Sequence, residues 1–335
     1  MQYVKLGKTG LDVSRICLGM MSFGKPGSEN GQFPWARDFE DAKPIFKKAV
    51  ELGINYFDTA NVYQYGTSEE ITGRLIREFG LNRDEIVVAT KVRFDMRLGS
   101  PNGGGLSRKN IMAEIDHSLK RLGLDYVDLY QIHRPDLAVP FEETMEALHD
   151  VVKSGKARYI GASTMYAWQF MKLQHVAELH GWTKFVSMQN HYNLIYREEE
   201  REMIPCCRDQ GVALVPWSPL AGGRLTHPWG TKTARNSVDE ISPAVWGRNE
   251  NLDLPIIENL QKLAAQRGVS MAQEALAWML SKPWITAPIV GTTDPKHVEE
   301  AVAALDIKLD EEEIRALEAP YLPHPVADDH GFLVF

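Results

Sequence analysis

The chain has 335 residues, 44% of them hydrophobic and 24% charged, with a net charge of −8 at neutral pH. These are the proportions of an ordinary globular protein. The acidic balance argues against nucleic acid or an anionic membrane as the main partner, and no apolar run approaches the ~20 residues of a membrane span.

Cys17, Cys206 and Cys207 are too few and too awkwardly placed for a disulfide framework or a zinc site, and read as packing thiols. The first residues hold no signal-peptide core, so a reducing cytoplasm is the expected compartment. Residues 3–13 read as a small hairpin around Gly7-Lys8-Thr9-Gly10. From there strands and helices alternate. Arg15 to Gly19 is the first strand, Glu40 to Leu52 a helix stopped by Gly53, and Ile54 to Asp58 the second strand. A helix from Ser68, its expected N-cap, to Phe79 precedes a third strand, Glu85 to Lys91. Ser107 caps a helix to Leu122; Tyr126 to His133 is the fourth strand, and Phe141 to Lys153 the next helix. Arg158 to Ala162, Phe185 to Gln189, Val212 to Trp217 and Ile285 to Val290 complete eight strands.

Between them lie helices over Tyr166 to His180 and through the charged run Arg197 to Arg201, whose face is expected to be solvated. A long loop, 218–254, precedes helices at Pro255 to Arg267 and Ser270 to Ser281; a last helix spans Pro295 to Leu305. Strand starts recurring every ~30 to 40 residues, except between the seventh and eighth, predict a closed (β/α)8 TIM barrel, carrying the hairpin and extra helices, as one domain over 1–335 with a tail at 320–335.

In such barrels the active site lies at the C-terminal strand ends. Asp58 ends the second strand, Lys91 the third and His133 the fourth; Tyr63 follows Asp58 by five residues. Each has a bland reading, as cap, rim lysine, turn histidine or packing tyrosine. Together they form a working set for carbonyl reduction. That reaction needs a hydride donor and a proton donor to the developing alkoxide. A phenol of ordinary pKa is a weak acid at neutral pH, and a nearby ammonium favours its ionisation. Lys91 can supply that charge, Asp58 can hold Lys91, and His133 can orient the carbonyl. A metal-dependent hydrolase would need His and carboxylate ligands at several strand ends, and only His133 and Asp58 qualify; no metal is expected.

With these residues in place the chain resembles the aldo-keto reductases, NADP-dependent (β/α)8 oxidoreductases. Gly53-Ile54-Asn55-Tyr56-Phe57-Asp58-Thr59-Ala60 with Tyr63 is similar to the family's first signature, and Ala89-Thr90-Lys91-Val92 and Gln131-Ile132-His133 carry the other catalytic positions. The stretches 188–203, 217–226 and 287–293 most resemble the aryl-alcohol-dehydrogenase-like branch. The resemblance implies the tetrad Asp58, Tyr63, Lys91 and His133, and NADP(H) in preference to NAD(H).

It further implies that Ser163 and Gln189 meet the nicotinamide carboxamide and Trp217 stacks on its ring. Gly19 and Met20 would lie near the ribose. Ser218, Leu220, Gly222 and Arg224 would close over the pyrophosphate. Gly291, Thr293, Lys296, His297 and Glu300 would meet the adenosine phosphates at a helix N-terminus. Asp294 and Ala301 depart from the pattern, the aspartate being repulsive to a 2′-phosphate. Asp58 is counted with the cofactor contacts as well as the tetrad. No Gly-x-Gly-x-x-Gly follows a strand, and Gly103-Gly104-Gly105 reads as a mobile loop over the mouth.

The expected partner is a small carbonyl substrate, bulky or aromatic, met by Phe23, Trp35, Phe94, Met96, Met165, Trp229 and Trp246. The tail, with Pro323-His324-Pro325 and Asp328-Asp329, is a further candidate to cover the mouth. The rival class is a cofactor-binding barrel that senses redox state for a protein partner, as the potassium-channel β subunits of this family do.

Overall fold

The structure is a computed structural model and describes residues 1–27, 33–231 and 249–326. Ten strands are described: β1 (Tyr3–Lys5), β2 (Asp12–Ser14), β3 (Cys17–Gly19), β4 (Tyr56–Asp58), β5 (Val87–Val92), β6 (Val127–Ile132), β7 (Ala157–Ser163), β8 (Phe185–Gln189), β9 (Ala213–Leu214) and β10 (Ile289–Gly291). β1 and β2 form the antiparallel hairpin. The other eight are parallel, in the order β10-β3-β4-β5-β6-β7-β8-β9. The ring closes where Leu214 bridges Ile285, with Thr286 N–H donating to the Leu214 carbonyl at 2.9 Å and Ile289 N–H to Pro216 at 2.9 Å. This is the (β/α)8 barrel that the alternation predicts.

Side chains alternate along each strand, so every second residue points inward. The inward set has its own apolar cluster: Cys17, Tyr56, Val87, Ala89, Leu129, Ala213 and Ile289, with Leu6 and Val13 of the hairpin region. The hairpin thus packs with the barrel interior. The opposite parity packs against the helices in a second, larger cluster. Moving toward the C-terminal ends, the inward positions change from apolar to Asp58, Lys91, Gln131 and Gln189, all buried.

The helices are α1 (Phe39–Glu51), α2 (Thr67–Glu78), α3 (Arg108–Leu122), α4 (Phe141–Lys153), α5 (Ala167–His180), α6 (Met203–Gln210), α7 (Glu250–Arg267), α8 (Met271–Ser281), α9 (Pro295–Ala303) and α10 (Glu311–Glu318). None is long and apolar enough to cross a membrane. Ser107 caps α3 through the Asn110 N–H, as expected, and Gly123 ends it at φ 65°.

Several elements differ from the sequence reading. Ser68 lies inside α2, whose N-cap is Gly66 at φ 92°. The Ser68 hydroxyl instead bonds the Met20 carbonyl at 2.8 Å and Thr59 Oγ1 at 2.9 Å, tying the first two barrel loops together. The run Arg197 to Arg201 is not a solvated helix. It makes a 3-10 turn at Glu198–Glu200, and α6 starts at Met203. Glu198 is buried because the tail reaches it: Tyr321 OH donates at 2.7 Å and the His324 N–H at 2.8 Å.

α7 begins at Glu250, so Pro255 lies within it rather than opening it. α10 lies beyond the last helix expected from the sequence, and Asp310 and Glu313 form its capping box. Gly103 and Gly104 serve close packing rather than mobility: added Cβ atoms would stand 2.2 Å from Asp95 Oδ1 and 2.9 Å from Asp95 Cα. Backbone bonds from Met96 to Gly103 and from Gly105 to Arg93 hold that loop shut on itself.

Candidate active site

Asp58 is the last residue of β4, and Lys91 lies wholly buried in β5. Adjacent parallel strands bring them together, and Lys91 Nζ pairs with Asp58 Oδ1. The same ammonium donates to the Thr59 carbonyl at 2.8 Å and to Tyr63 OH at 3.1 Å. An ammonium has three N–H donors and no acceptor. All three are therefore spent, and the Tyr63 oxygen must accept. Its own proton is left to point elsewhere. The second oxygen of Asp58 accepts from Gln131 Nε2 and from Gln189 Nε2, each at 2.9 Å. A buried carboxylate thus meets one cation and two amides, which such a charge requires.

The electrostatics revise one expectation. Burial pushes the Tyr63 phenol up; Lys91 and Arg134 pull it down and Asp58 pushes it up, and the net shift is upward. Lys91 acts in the expected direction but burial outweighs it, so Tyr63 holds its proton. For Lys91, burial pulls downward, yet Asp58 and Tyr63 outweigh it and the ammonium is held above its usual range. His133 follows β6 and is pushed well below the usual histidine range by burial, with Lys91, Arg134 and Arg93 adding to it. Its imidazole is neutral. The ring stands edge-on to Tyr63 at 5.6 Å and to Phe94 at 4.9 Å, and Nδ1 has no hydrogen-bond partner among the described residues.

The loops around this cluster are strained. Gln64 and Tyr65, directly after Tyr63, have φ of 47° and 56°; Thr164, Ser218 and Ala221 follow the ends of β7 and β9 with φ of 34°, 50° and 50°. Such conformations cost about 1–3 kcal/mol each and gather at functional sites. Gln64 is fixed by two hydrogen bonds, accepting from Phe33 N–H at 2.7 Å and donating to Met21 O at 3.3 Å.

The expected cofactor residues lie on the same side. Gly19 pairs in register with both Asp58 and Gly291, so the ends of β3 and β10 carry no side chains beside the tetrad. Met20 is buried in the outer apolar cluster and its carbonyl accepts from Ser68. Ser163 Oγ donates to the Gln189 carbonyl at 2.9 Å, while the Gln189 amide is turned to Asp58. The Trp217 ring lies on His191 at 4.1 Å and 13°, and its Nε1 donates to Thr164 at 2.9 Å.

Ser218 and Leu220 accept backbone bonds from Ala221 and Gly223, and Gly222 takes φ 62°, which makes a tight loop. Arg224 faces Asp253 at 3.6 Å and Glu250 at 3.4 Å. Thr293, Lys296, His297 and Glu300 follow Gly291 at the start of α9, where Asp294 is the N-cap and accepts from the Lys296 N–H at 2.9 Å. The departure at position 294 is therefore a cap.

The substrate candidates divide. Phe94 reaches His133. Met96 is half-buried on the same loop and Trp229 is exposed, with Arg224 over its ring. Phe23 and Met165 are buried in the outer cluster, and Trp35 is buried against Phe33. Trp246, Asp328 and Asp329 lie outside the described residues.

Sequence reasoning assigned no role to Thr59, Gln131 and His191. Gln131 was readable: counting back two from His133 along β6 gives the next inward residue. Among the described residues no group of three potential metal ligands occurs.

The Aldo/keto reductase family model matches residues 15–321. A versiconal hemiacetal acetate reductase of Aspergillus parasiticus is 45% identical, over 97% of this chain and 98% of its own. A Schizosaccharomyces pombe protein with the provisional name aryl-alcohol dehydrogenase is 45% identical over 97% of each chain. An Alternaria alternata aldo-keto reductase is 40% identical, over 96% of this chain and 92% of its own. The chain belongs to the aldo/keto reductase family, in its aryl-alcohol-dehydrogenase-like branch, and is an oxidoreductase of carbonyls and alcohols.

Proposed function

We propose that this protein reduces bulky or aromatic aldehydes and ketones to alcohols, reversibly, with NADP(H) preferred over NAD(H), and that Tyr63 is its proton donor. The observation that carries the reading is the spent ammonium. Lys91 gives its three N–H groups to Asp58, Thr59 and Tyr63, so the phenol hydrogen is free for a substrate oxygen.

A bound nicotinamide supplies the hydride to the carbonyl carbon, or takes it back. Tyr63 keeps its proton until negative charge develops on the carbonyl oxygen, a far stronger base than the phenolate. As the proton leaves, Lys91 meets the phenolate with a charge-assisted hydrogen bond. Asp58 holds Lys91 in place and protonated. Neutral His133 has one N–H, which orients the same oxygen; its ring is fixed between Tyr63 and Phe94. Positioned acid catalysis of this kind contributes ~10²- to 10⁴-fold.

The cofactor residues fit the group. The bare strand end at Gly291 leaves room, since a Cβ there would meet nothing closer than 4.0 Å, whereas Gly19 beside it is packed so closely that a Cβ would stand 2.8 Å from Ile289 Cγ2. The Trp217 indole offers a flat surface for the ring. Ser163 and Gln189 would hold the carboxamide; Ser218, Leu220, Gly222 and Arg224 the pyrophosphate; Lys296 and His297 the adenosine phosphates. The names of the relatives, a hemiacetal acetate reductase and an aryl-alcohol dehydrogenase, favour a bulky or aromatic substrate.

The test is Tyr63→Phe assayed with 4-nitrobenzaldehyde and both cofactors. The variant is expected to bind NADPH as the wild type does and to lose at least ~10²-fold in kcat. Wild-type turnover in the variant overturns the mechanism. Cofactor binding without turnover of any carbonyl by the wild type would favour the redox-sensing alternative.

A further inference from the structure

We propose that Glu114 of α3 is a positioning residue that makes the mouth loop and the proton-donor segment one mechanical unit. The inference rests on the reading of Tyr63 as proton donor. Glu114 is 1% exposed and none of its contacts is to the tetrad. Its Oε2 accepts from Asn61 Nδ2 at 3.0 Å, two residues before Tyr63. Its Oε1 accepts from Arg97 Nη1 at 3.0 Å and faces His117 Nδ1 at 3.0 Å.

Arg97 organises the loop between β5 and α3. It also donates to the Asn102 carbonyl at 2.6 Å and to Asn110 Oδ1 at 3.3 Å. That loop carries Phe94 to the His133 ring. Asn61 is wholly buried, and its own oxygen has no hydrogen-bond partner among the described residues. The bond to Glu114 is thus its side-chain tether.

A second branch leads to the other half of the site. Arg121 stands 3.7 Å from Glu114 and donates to Glu69 at 2.6 Å; Glu69 accepts from Thr90, the neighbour of Lys91, at 2.5 Å. Burial pushes the Glu114 carboxyl up, but His117, Asn61 and Arg121 outweigh it and hold it ionised. One charged group therefore accepts from both Arg97 and Asn61. Displacing the loop loosens the carboxylate that fixes Asn61, and with it the placement of Tyr63.

Glutamine at this position has one acceptor oxygen for two donors, and its NH₂ group repels the other. Glu114→Gln is expected to lower kcat ~10- to 100-fold, the cost of a small misplacement of a catalytic group, with NADPH affinity within twofold of wild type. Arg97→Leu, at the half-exposed end, should lower kcat in the same direction. A hydrogen-exchange arm needs no turnover. Arg97→Leu is expected to speed amide exchange across 59–66, where Arg97 itself makes no hydrogen bond. A direct loop contact, Leu98 N–H to Tyr65 OH at 3.5 Å, is removed by measuring in a Tyr65→Phe background.

Unchanged exchange over 59–66 in that background overturns the inference whatever the activity. So does wild-type kcat in Glu114→Gln while Tyr63→Phe is inactive, a result that leaves the reductase reading standing. Absence of carbonyl turnover in the wild type would fell that reading, and exchange would still decide the coupling.

Discussion

Removing the Lys91 ammonium tests both the stability and the chemistry of the site. Lys91→Met keeps the aliphatic stem and deletes the charge. Asp58 would then be a buried carboxylate with only two amide donors, Gln131 and Gln189. Breaking a buried pair by removing one partner costs about 3–5 kcal/mol, because the remaining charge is uncompensated. Unfolding entropy near 2.1 cal/mol/K per residue gives about 0.7 kcal/mol/K for 335 residues. The expected fall in Tm is therefore about 4–7 °C.

A second substitution separates the two roles. Asp58→Asn in the Lys91→Met background removes the stranded charge, so about 2–3 kcal/mol should return. Turnover should stay lost, since Tyr63 still lacks its cation. Scanning calorimetry of the wild type, the single and the double variant gives the stabilities, and NADPH oxidation gives the rates. Wild-type Tm in Lys91→Met, or a double variant no more stable than the single, would refute the account of Asp58 as a charge held by Lys91.

His191 is buried between the Tyr196 and Trp217 rings, and burial, then Arg134, pulls it down to about 3. Below the ordinary histidine range the unfolded chain binds a proton that the folded site refuses, so stability falls as pH falls. Between pH 7 and pH 5 this group costs about 2 kcal/mol; denaturant melts should show His191→Phe losing that much less, and an equal acid loss would contradict the assignment. At the start of α9, Asp294→Asn keeps a capping side chain and removes a charge beside Lys296 and His297. The ratio of KM for NAD(H) to KM for NADP(H) should rise several-fold, and a fall would argue against a phosphate at this terminus.

Much of this protein is legible in the chain itself. Apolar runs of strand length, followed by a helical period with stops such as Gly53 and Gly123, specify the repeat. Once eight such units are counted, closure follows, because a twisted parallel sheet flanked by helices buries its edges by closing. Strand parity then places Asp58, Lys91 and His133 at one mouth. These are local properties: periodicity, cap residues and the two-residue repeat of a strand.

What only the tertiary structure decided involves residues far apart in sequence. Glu198 looked solvated because its neighbours are charged; it is buried because Tyr321 and His324 arrive from the tail. Gly103 and Gly104 looked mobile because glycine is permissive; they are needed because Asp95 leaves no room for a Cβ. The sign of the Tyr63 shift turned on burial, which a sequence does not state, outweighing a lysine that it does. Glu114 had no local signature at all. Its role comes from one carboxylate standing between residues 61 and 97, a coincidence in space that no periodicity along the chain encodes.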